Sequence, residues 1–575
     1  MHRILSLLLI GSILTLGESS CRCRPSDSCW PSINTWAAFN ESIDGHLVQL
    51  RPIASVCHDP TFNHQACNYV KNMTNNNVWR ANQPGALQNR VWESGSQPDE
   101  SCFLDSPRAQ PCYQGRIPLY SVVAESIIHV QRAVRFARGH NLRLMIRNTG
   151  HDTSGRSSGA DALQLYTQKL NDIVYTHDFR ATGSNASLGP AVTFGAGVTF
   201  EQLYARGAVD SFMVTGGDCV SVGAAGGYLQ GGGVPAFLGH TWGLGVDNAL
   251  EFEIVTANGD LQIANSHNNP DLFWALRGGG GGTFGVVTRA TMRTYPDLPL
   301  AVVTASFSGP RSDARLWNVG VTRLLSALQT LNHDRKTGGY MTLSPSPNGN
   351  DTITARLIMH FLNTTSVSLG RSRVMALIGN NTSVYTVTSR AVPKLSTYYG
   401  AENIGMSALF GSTLLSNALF DNDTNSTLHL AQRLSQIPLG LGDAIFTSNL
   451  GGATNRMIDT PLHPAWRSAA HLVTIMVGVS EEAGARDATA KQMAEVQLPM
   501  LYALDRGQEQ VEYRNLGAAL QNDFQRMYWG EENYARLLRI KRAWDPEDLF
   551  LARYGVGSEG WDEEGICRLQ GVGDV

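Results

Sequence analysis

The sequence predicts an α+β protein built as two successive blocks of strands and helices. Apolar residues recur at helical spacing over 123–137, and a run typical of a buried strand follows at 142–146. Glycine density falls after Pro296 and Pro299, and strand and helix patterns then resume. A chain of 575 residues is also too long for one ordinary compact core. We therefore expect two domains with a boundary just before residue 300.

The remaining elements of the first block follow one another closely. The segment 191–197 alternates as a strand, and a helix opens at Phe200. Segments 250–255 and 261–263 flank Asn258-Gly259, a strong signal for a hairpin turn. These patterns predict a mixed block in which strands and helices share one core.

The second block and the tail carry their own elements. Strand patterns at 302–307 and 352–361 enclose a helical pattern at 316–331, which indicates a second α+β domain reaching about residue 500. A tail helix over 533–544 ends before Pro546, because a residue preceding proline disfavours the helical conformation.

Composition narrows the kind of partner. Lys plus Arg number 45 against 49 Asp plus Glu, a net charge of −4. The chain therefore lacks the excess of positive charge that would attract nucleic acid or an anionic membrane surface. We expect a small-molecule substrate, no nucleic acid and a monomer.

The first residues predict entry into the secretory pathway. Residues 1–20 show the order of a signal peptide, namely a basic start, an apolar run over 4–16 and small residues after it. An uncleaved N-terminal anchor is the alternative. No later run approaches about 20 apolar residues, so we expect no stable membrane span in the mature protein. The location predicted is secreted or lumenal.

Cysteines and sequons agree with that location. Residues 21–115 form a Cys-rich extension that holds most of the nine cysteines, a pattern typical of disulfides in an oxidising compartment. An odd count leaves one cysteine over, and a metal knuckle around Cys21-Arg22-Cys23 is a weaker alternative. Nine Asn-x-Ser/Thr sequons predict a glycoprotein: Asn40, Asn72, Asn185, Asn350, Asn363, Asn380, Asn381, Asn422 and Asn425.

The loop 147–159 is the first candidate site. It follows a predicted strand and combines glycines with hydroxyl residues, so its backbone N–H groups can form a concave anion site. His151 lies in this loop, and Cys219 follows in a second small-residue segment. An imidazole and a thiolate can each bond covalently to a flavin ring. A plain surface loop, and a buried or disulfide-bonded Cys219, are the structural alternatives.

Other nucleotide sites are disfavoured. The segments 195–200 and 243–248 lack the third glycine of a dinucleotide-binding fingerprint, and no Walker loop is present. The segment 223–233 has six glycines, which allow a backbone to lie flat against a planar cofactor. The five-glycine run 278–282 has apolar neighbours on both sides and predicts an ordered turn.

These motifs together resemble a known family. Thr149-Gly150-His151-Asp152, the 219–233 block, Trp242-Gly243-Leu244, the 271–285 segment and Tyr528-Trp529-Gly530 are similar, in order, to the berberine-bridge-enzyme-like FAD-linked oxidases of the vanillyl-alcohol-oxidase superfamily. The N-terminal motifs are similar to the fungal branch that serves secondary metabolism. The resemblance covers about 116–297 and 513–568.

The resemblance implies a fold and a cofactor. The fold is a PCMH-type FAD-binding domain in two parts, 116–297 and 501–575, with an α+β substrate domain over 298–500 that contains an antiparallel sheet. FAD is the implied cofactor, with His151 bonded to the flavin 8α-methyl carbon and Cys219 to ring carbon 6. If Cys219 bonds to flavin, the other eight cysteines can form four disulfides. The further cofactor-binding residues predicted are Arg147, Gly150, Asp152, Gly155, Arg156, Ser157, Gly223, Gly226, Gly227 and Asn515.

The sequence offers fewer candidates for the residues that take part in the reaction itself. By the resemblance, Val222 leaves space beside the flavin for dioxygen, which implies an oxidase that produces hydrogen peroxide. Tyr513 and His471 are the candidates for proton transfer. The family's Glu or Gln base has no counterpart in 471–476, and Thr153 replaces a family tyrosine. We expect no metal site.

The predicted activity is hydride transfer from a small secondary metabolite to flavin, with dioxygen as final acceptor. Alkaloid biosynthesis is the predicted setting. An oligosaccharide oxidase would share the fold and the tethers. A non-catalytic secreted glycoprotein that retains the fold is the third hypothesis.

Overall fold

The computed structural model describes residues 21–569 except 236, 348, 380–383, 401–404 and 422–424. The side chains of 349 and 350 are also not described. The predicted signal peptide lies outside the described residues. Within them, no helix is long and apolar enough to cross a bilayer.

The Cys-rich extension is an ordered part of the first domain. Its strand β1 (Leu47–Gln49) pairs antiparallel with β2 (Tyr120–Val123) of the following block, so the extension enlarges that sheet. Disulfides Cys23–Cys29, Cys57–Cys67 and Cys102–Cys112 staple it locally, which removes the thiols a metal knuckle would need. Its elements are α1 (Ile33–Ser42), β1 (Leu47–Gln49), α2 (His64–Met73) and α3 (Asn77–Ala81).

Two sheets form the core of the first domain. In one, β2, β4 and β3 run parallel and β1 lies at the edge; the other is antiparallel in the order β5-β6-β10-β8-β9. Asn258-Gly259 lies in the turn between β8 and β9, as the sequence predicts. The elements are β2 (Tyr120–Val123), α4 (Ile127–Gly139), β3 (Arg143–Arg147), β4 (Ala162–Tyr166), β5 (Ile173–Thr176), β6 (Ala191–Gly195), α5 (Phe200–Asp210), β7 (Phe212–Met213), α6 (Gly239–Trp242), β8 (Ala249–Val255), β9 (Leu261–Ala264), α7 (Pro270–Leu276), β10 (Val286–Arg293) and β11 (Tyr295–Pro296).

A seven-stranded antiparallel sheet forms the second domain. Its strand order is β15-β12-β14-β13-β17-β18-β16, and α8, α9 and α11 supply apolar side chains to the same core cluster as its strands. The elements are β12 (Leu300–Pro310), α8 (Ala314–Leu331), β13 (Thr337–Ser346), β14 (Gly349–Leu362), α9 (Val367–Ile378), β15 (Thr386–Val392), β16 (Ala408–Ser416), α10 (Asn417–Asp421), α11 (Ser426–Gln436), β17 (Ala444–Asn449), β18 (Ala469–Gly478), α12 (Ala485–Gln492) and α13 (Leu498–Tyr502).

The tail returns to the first domain and is fixed there at two points. It carries α14 (Phe524–Trp529) and α15 (Glu531–Trp544). Lys541 of α15 is fully buried, forms an ion pair with Asp545 and donates to the carbonyl of Thr283 at 2.9 Å. Disulfide Cys21–Cys567 joins the tail to the start of the described chain. The tail therefore closes over the glycine-rich turn that precedes β10.

The predicted sequons divide into two groups. Asn72, Asn185, Asn363 and Asn425 are exposed, while Asn40 on α1 is half-buried. Asn380, Asn381 and Asn422 lie outside the described residues, as does the side chain of Asn350. Glycosylation stays a prediction from the sequence.

We predict that the free energy of unfolding decreases as the pH falls from 6.5 towards 3. Burial lowers the pKa of both His360 and His471 from 6.5 to about 3. Below pH 6.5 the unfolded chain therefore binds two protons that the folded chain does not, a slope of up to about 2.7 kcal/mol per pH unit from this pair. Urea unfolding at pH 7, 5.5 and 4.5 measures this dependence of the free energy of unfolding on pH.

The variant His360→Gln provides the control. It removes one of the two groups, so the slope should decrease by about 1.4 kcal/mol per pH unit. An unchanged slope in this variant would show that His360 is protonated in the folded protein.

Candidate functional site

A cavity of about 450 Å³ lies between the two domains. One wall is backbone-rich and comes from the loop after β3, the segment around Cys219 and the turn before β10. The other wall carries side chains from β16, β17 and β18, and the tail segment 513–516 closes one side. This volume is within the usual range for small-molecule and cofactor sites.

The loop 147–159 is shaped by glycines and by an internal ion pair. Gly150 has φ +80°, a conformation that other residues rarely adopt. Asp152 accepts hydrogen bonds from Arg156 Nε at 2.6 Å and from the Ser154 backbone at 3.3 Å. Burial opposes ionisation of Asp152, but Arg156 outweighs it and keeps the pKa of this carboxyl below its usual value. The loop therefore keeps one shape with its charge pair facing the cavity.

His151 lines the cavity as a neutral imidazole. Burial lowers its pKa to about 4, so a ring nitrogen lone pair is available near neutral pH. Its Nε2 lies 2.8 Å from Ser221 Oγ, and Asn77 Nδ2 of the extension donates to the same oxygen at 3.4 Å. Since Nε2 has this partner, Nδ1 is the nitrogen left for bonding to a ligand.

The segment after β7 brings Cys219 and Val222 to the same cavity. Cys219 is exposed to it and takes no part in the four disulfides. A Cβ on Gly223 would lie 2.4 Å from Asn148, whereas a Cβ on Gly227 would meet nothing within 4 Å. Gly227, in the π-helical turn Ala224–Tyr228, therefore leaves open space beside the backbone.

The tail contributes polar side chains. The Tyr513 hydroxyl accepts hydrogen bonds from the Val234 backbone at 3.3 Å and from Asn515 Nδ2 at 3.0 Å. Burial raises the pKa of Tyr513, so the phenol keeps its proton. Arg514 also lines the cavity.

The structure brings most of the predicted site residues to one cavity. Those that line it are His151, Cys219, Gly150, Asp152, Arg156, Ser157, Val222, Gly223, Gly226, Gly227, Tyr513 and Asn515.

Three of the predicted site residues, Gly155, His471 and Arg147, do not line the cavity. A Cβ on Gly155 would lie 2.5 Å from Trp92, so this glycine accommodates the extension. His471 lies on β18 next to Leu472, which lines the cavity. Adjacent residues of a strand point to opposite faces of the sheet, so the His471 side chain faces α8, where its Nε2 lies 2.6 Å from Gln329 Oε1. We therefore withdraw His471 as a catalytic candidate.

Arg147 is the third correction, and it identifies a role for the Cys-rich extension. Its guanidinium is fully buried and donates to the Gln83 carbonyl at 2.6 Å. Gln88 donates its backbone N–H to Gly150 at 2.9 Å, and Trp92 donates Nε1 to the Thr153 carbonyl at 2.9 Å. The extension therefore holds the loop from the side opposite the cavity.

Sequence reasoning missed two sets of residues. Asn77 and Ser221 act on His151 only through tertiary contacts, and no spacing rule connects them. Most of the opposite wall was also not predicted, because its residues resemble ordinary strand residues in sequence. Leu472 and Thr474 lie in the segment 471–476, from which only His471 was predicted, and the others are Met406, Phe410, Phe446 and Ser448.

The residues present fit a bound FAD. The open space at Gly227 can receive a planar ring, and loop 147–159 places the cationic side chain of Arg156 in the cavity wall, where it can face phosphates. His151 and Cys219 lie on the same cavity, as two attachments to one ring require.

Comparison with known proteins gives the family. An FAD binding domain model matches residues 118–265, and a model described as berberine and berberine like matches 512–557. The chain is 51% identical over 565 residues to the FAD-linked oxidoreductase penH of Penicillium thymicola, covering 98% of each chain. It is 46% identical to the FAD-linked oxidoreductase easE of Arthroderma otae, covering 95% of this chain and 90% of the relative.

Solved structures agree. The VAO-type flavoprotein MtVAO615 from Myceliophthora thermophila C1 superposes with a TM-score of 0.83 at 30% identity, covering 96% of this chain and 100% of the other. The two matched segments and the relatives confirm the predicted family, fold class and cofactor. The chain therefore belongs to the berberine-bridge-enzyme-like, VAO-type family and is an FAD-dependent oxidoreductase.

Proposed function

We propose that this protein is an oxidase of the secretory pathway whose FAD is bonded to both His151 and Cys219. The observation that carries the proposal is that these two nucleophiles line one cavity. The neutral state of His151 supports its role as a nucleophile. The other eight cysteines form four disulfides, which supports an oxidising compartment and leaves Cys219 for the flavin.

When held by His151 and Cys219, FAD would supply the capacity to accept a hydride from a substrate carbon–hydrogen bond. Around it, we assign to Tyr513 the role of a hydrogen-bond donor that orients the substrate. Its oxygen accepts two hydrogen bonds and its raised pKa preserves the phenol proton. It can therefore donate a hydrogen bond to a substrate N or O atom and orient the substrate.

We propose dioxygen as the final acceptor. Val222 is half-buried on the cavity wall beside Gly223. A short β-branched side chain leaves more room there than leucine would. This supports access of a small oxidant to the flavin.

We propose an aromatic secondary-metabolite amine, of the alkaloid class, as substrate. Met406, Phe410, Phe446 and Leu472 make the substrate-side wall largely apolar. This favours an aromatic ligand over an oligosaccharide, whose hydroxyls need many polar partners. Oxidative ring closure on a prenylated tryptophan derivative, as by chanoclavine-I synthase, is one reaction in this class. We propose the broader class because identity is 51% to penH and 46% to easE.

We predict that the flavin stays with the protein after acid precipitation. A covalent bond survives unfolding, so the pellet should be yellow and the supernatant colourless. In Cys219→Ala the flavin should still remain with the pellet, through His151, and its reduction potential should fall. Release of flavin from the wild-type pellet would contradict the tethers, and an unchanged potential in C219A would contradict the second one.

We predict that Val222→Leu slows reoxidation by dioxygen by about tenfold, about 1.4 kcal/mol of barrier, because leucine fills the space beside the flavin. Stopped-flow absorbance of substrate-reduced enzyme mixed with oxygenated buffer measures this step. Reduction by substrate under nitrogen is the control and should change much less. If both steps slow equally, Val222 shapes the substrate site instead.

We predict that, among a panel of candidate substrates, aromatic amines give the fastest release of hydrogen peroxide. The apolar wall should favour prenylated indole amines, and free oligosaccharides should give only background. The variant Phe410→Ser should raise KM for the amine. Turnover of oligosaccharides with no response to amines would support the carbohydrate-oxidase alternative.

A further inference from the structure

Arg514 is a buried cation that the proposed function does not use. Its side chain lies in the cavity wall, and the residue is 4% exposed. Its Nε and Nη2 are buried and have no hydrogen-bond partner among the described residues. Its guanidinium lies 5.9 Å from the ring centroid of Trp529, a weak contact at that distance. Unpaired buried guanidinium atoms are costly, so a partner from outside the chain is indicated.

The charges around Arg514 do not neutralise it. The like charge of Arg156 acts on it together with the opposite charge of Asp152. Asp152 already bonds to Arg156 and to the Ser154 backbone. The second carboxylate of the cavity wall, Asp218, instead raises the pKa of Tyr204 and Tyr228, after burial. One positive charge therefore remains in excess where the loop 147–159 meets the tail.

The burial of Arg514 depends on one member of the five-glycine run. A Cβ on Gly280, which has φ +108°, would lie 2.4 Å from Cζ of Arg514. Any other residue there would displace the guanidinium. Burial, followed by the like charge of Arg156, lowers the pKa of Arg514 to about 9, so it remains charged at neutral pH. The run thus accommodates a cation as well as forming a turn.

We propose that Arg514 binds the pyrophosphate of FAD, as an anion-binding residue held in place by Gly280. The pyrophosphate is the anion suited to this position because Arg514 adjoins Arg156 and Asp152, on the glycine-containing loop that lines the cavity. A guanidinium can donate two parallel hydrogen bonds to phosphate oxygens. The cofactor then supplies the negative charge that the chain lacks here.

The test uses the full chain with both proposed tethers removed, His151→Ala with Cys219→Ala, so that FAD binding is reversible. Adding Arg514→Met should weaken FAD binding by about tenfold to a hundredfold, the loss expected for a hydrogen bond to a charged group. It should also raise Tm of the FAD-free protein, because an unpaired buried charge is removed. A merely structural arginine would lower Tm. Arg277→Met, outside the cavity, is the matched control and should leave FAD affinity unchanged.

The reduction potential of the bound flavin distinguishes an Arg514 that binds the pyrophosphate from one that contacts the flavin ring. It should be the same with and without Arg514→Met, because the pyrophosphate does not share the ring's electrons. Gly280→Ala should reproduce the loss of FAD affinity by displacing the guanidinium. Unchanged FAD affinity, a lowered Tm, or a shifted potential would each overturn the proposal. Since FAD binding is titrated directly, these results do not depend on the proposed substrate, oxidant or tethers.

Discussion

The shape of the loop 147–159 is the constraint on which the site depends. A loop of glycines and small hydroxyl residues has little side-chain packing of its own, and ordering it costs conformational entropy. The extension supplies that order through hydrogen bonds to the backbone carbonyls of Gly150 and Thr153, from Gln88 N–H and Trp92 Nε1, and through contacts with buried Arg147. Disulfides in turn stabilise the extension. The disulfides of the extension and the cofactor site are thereby linked physically.

Buried arginines illustrate how position decides role. Arg147 and Arg514 are both enclosed, and burial lowers the pKa of each. Arg147 donates to two backbone carbonyls of the extension, so its burial serves structure. Arg514 lines the cavity with two buried donors, Nε and Nη2, that no described residue satisfies, whereas Arg147 leaves only its Nε without such a partner. The two side chains are chemically the same, so their different roles follow from where their donors point: those of Arg147 towards the extension, and those of Arg514 towards the cavity.

The cavity has two walls with different physical characters. The cofactor wall consists largely of backbone and glycine, so it offers close approach and N–H donors but little side-chain specificity. The opposite wall carries side chains from β16, β17 and β18 of one antiparallel sheet. Those side chains can change without altering the sheet's hydrogen bonds, so the lining of this wall can vary while the cofactor wall is kept.

The sequence alone predicted the α+β class and several strands and helices, because periodicity is a local property. Through the order of its motifs, which resembles a known family, it also predicted FAD as cofactor and named His151 and Cys219 as candidate tethers, whose bonds to flavin stay a prediction. It also predicted that the count of cysteines leaves one over. Only the tertiary structure decided which predicted residues meet. It placed Arg147 and Gly155 against the extension, turned His471 away from the cavity through strand alternation, and brought Ser221 and Arg514 into contact with the site. These outcomes depend on contacts between distant segments, which no local pattern encodes.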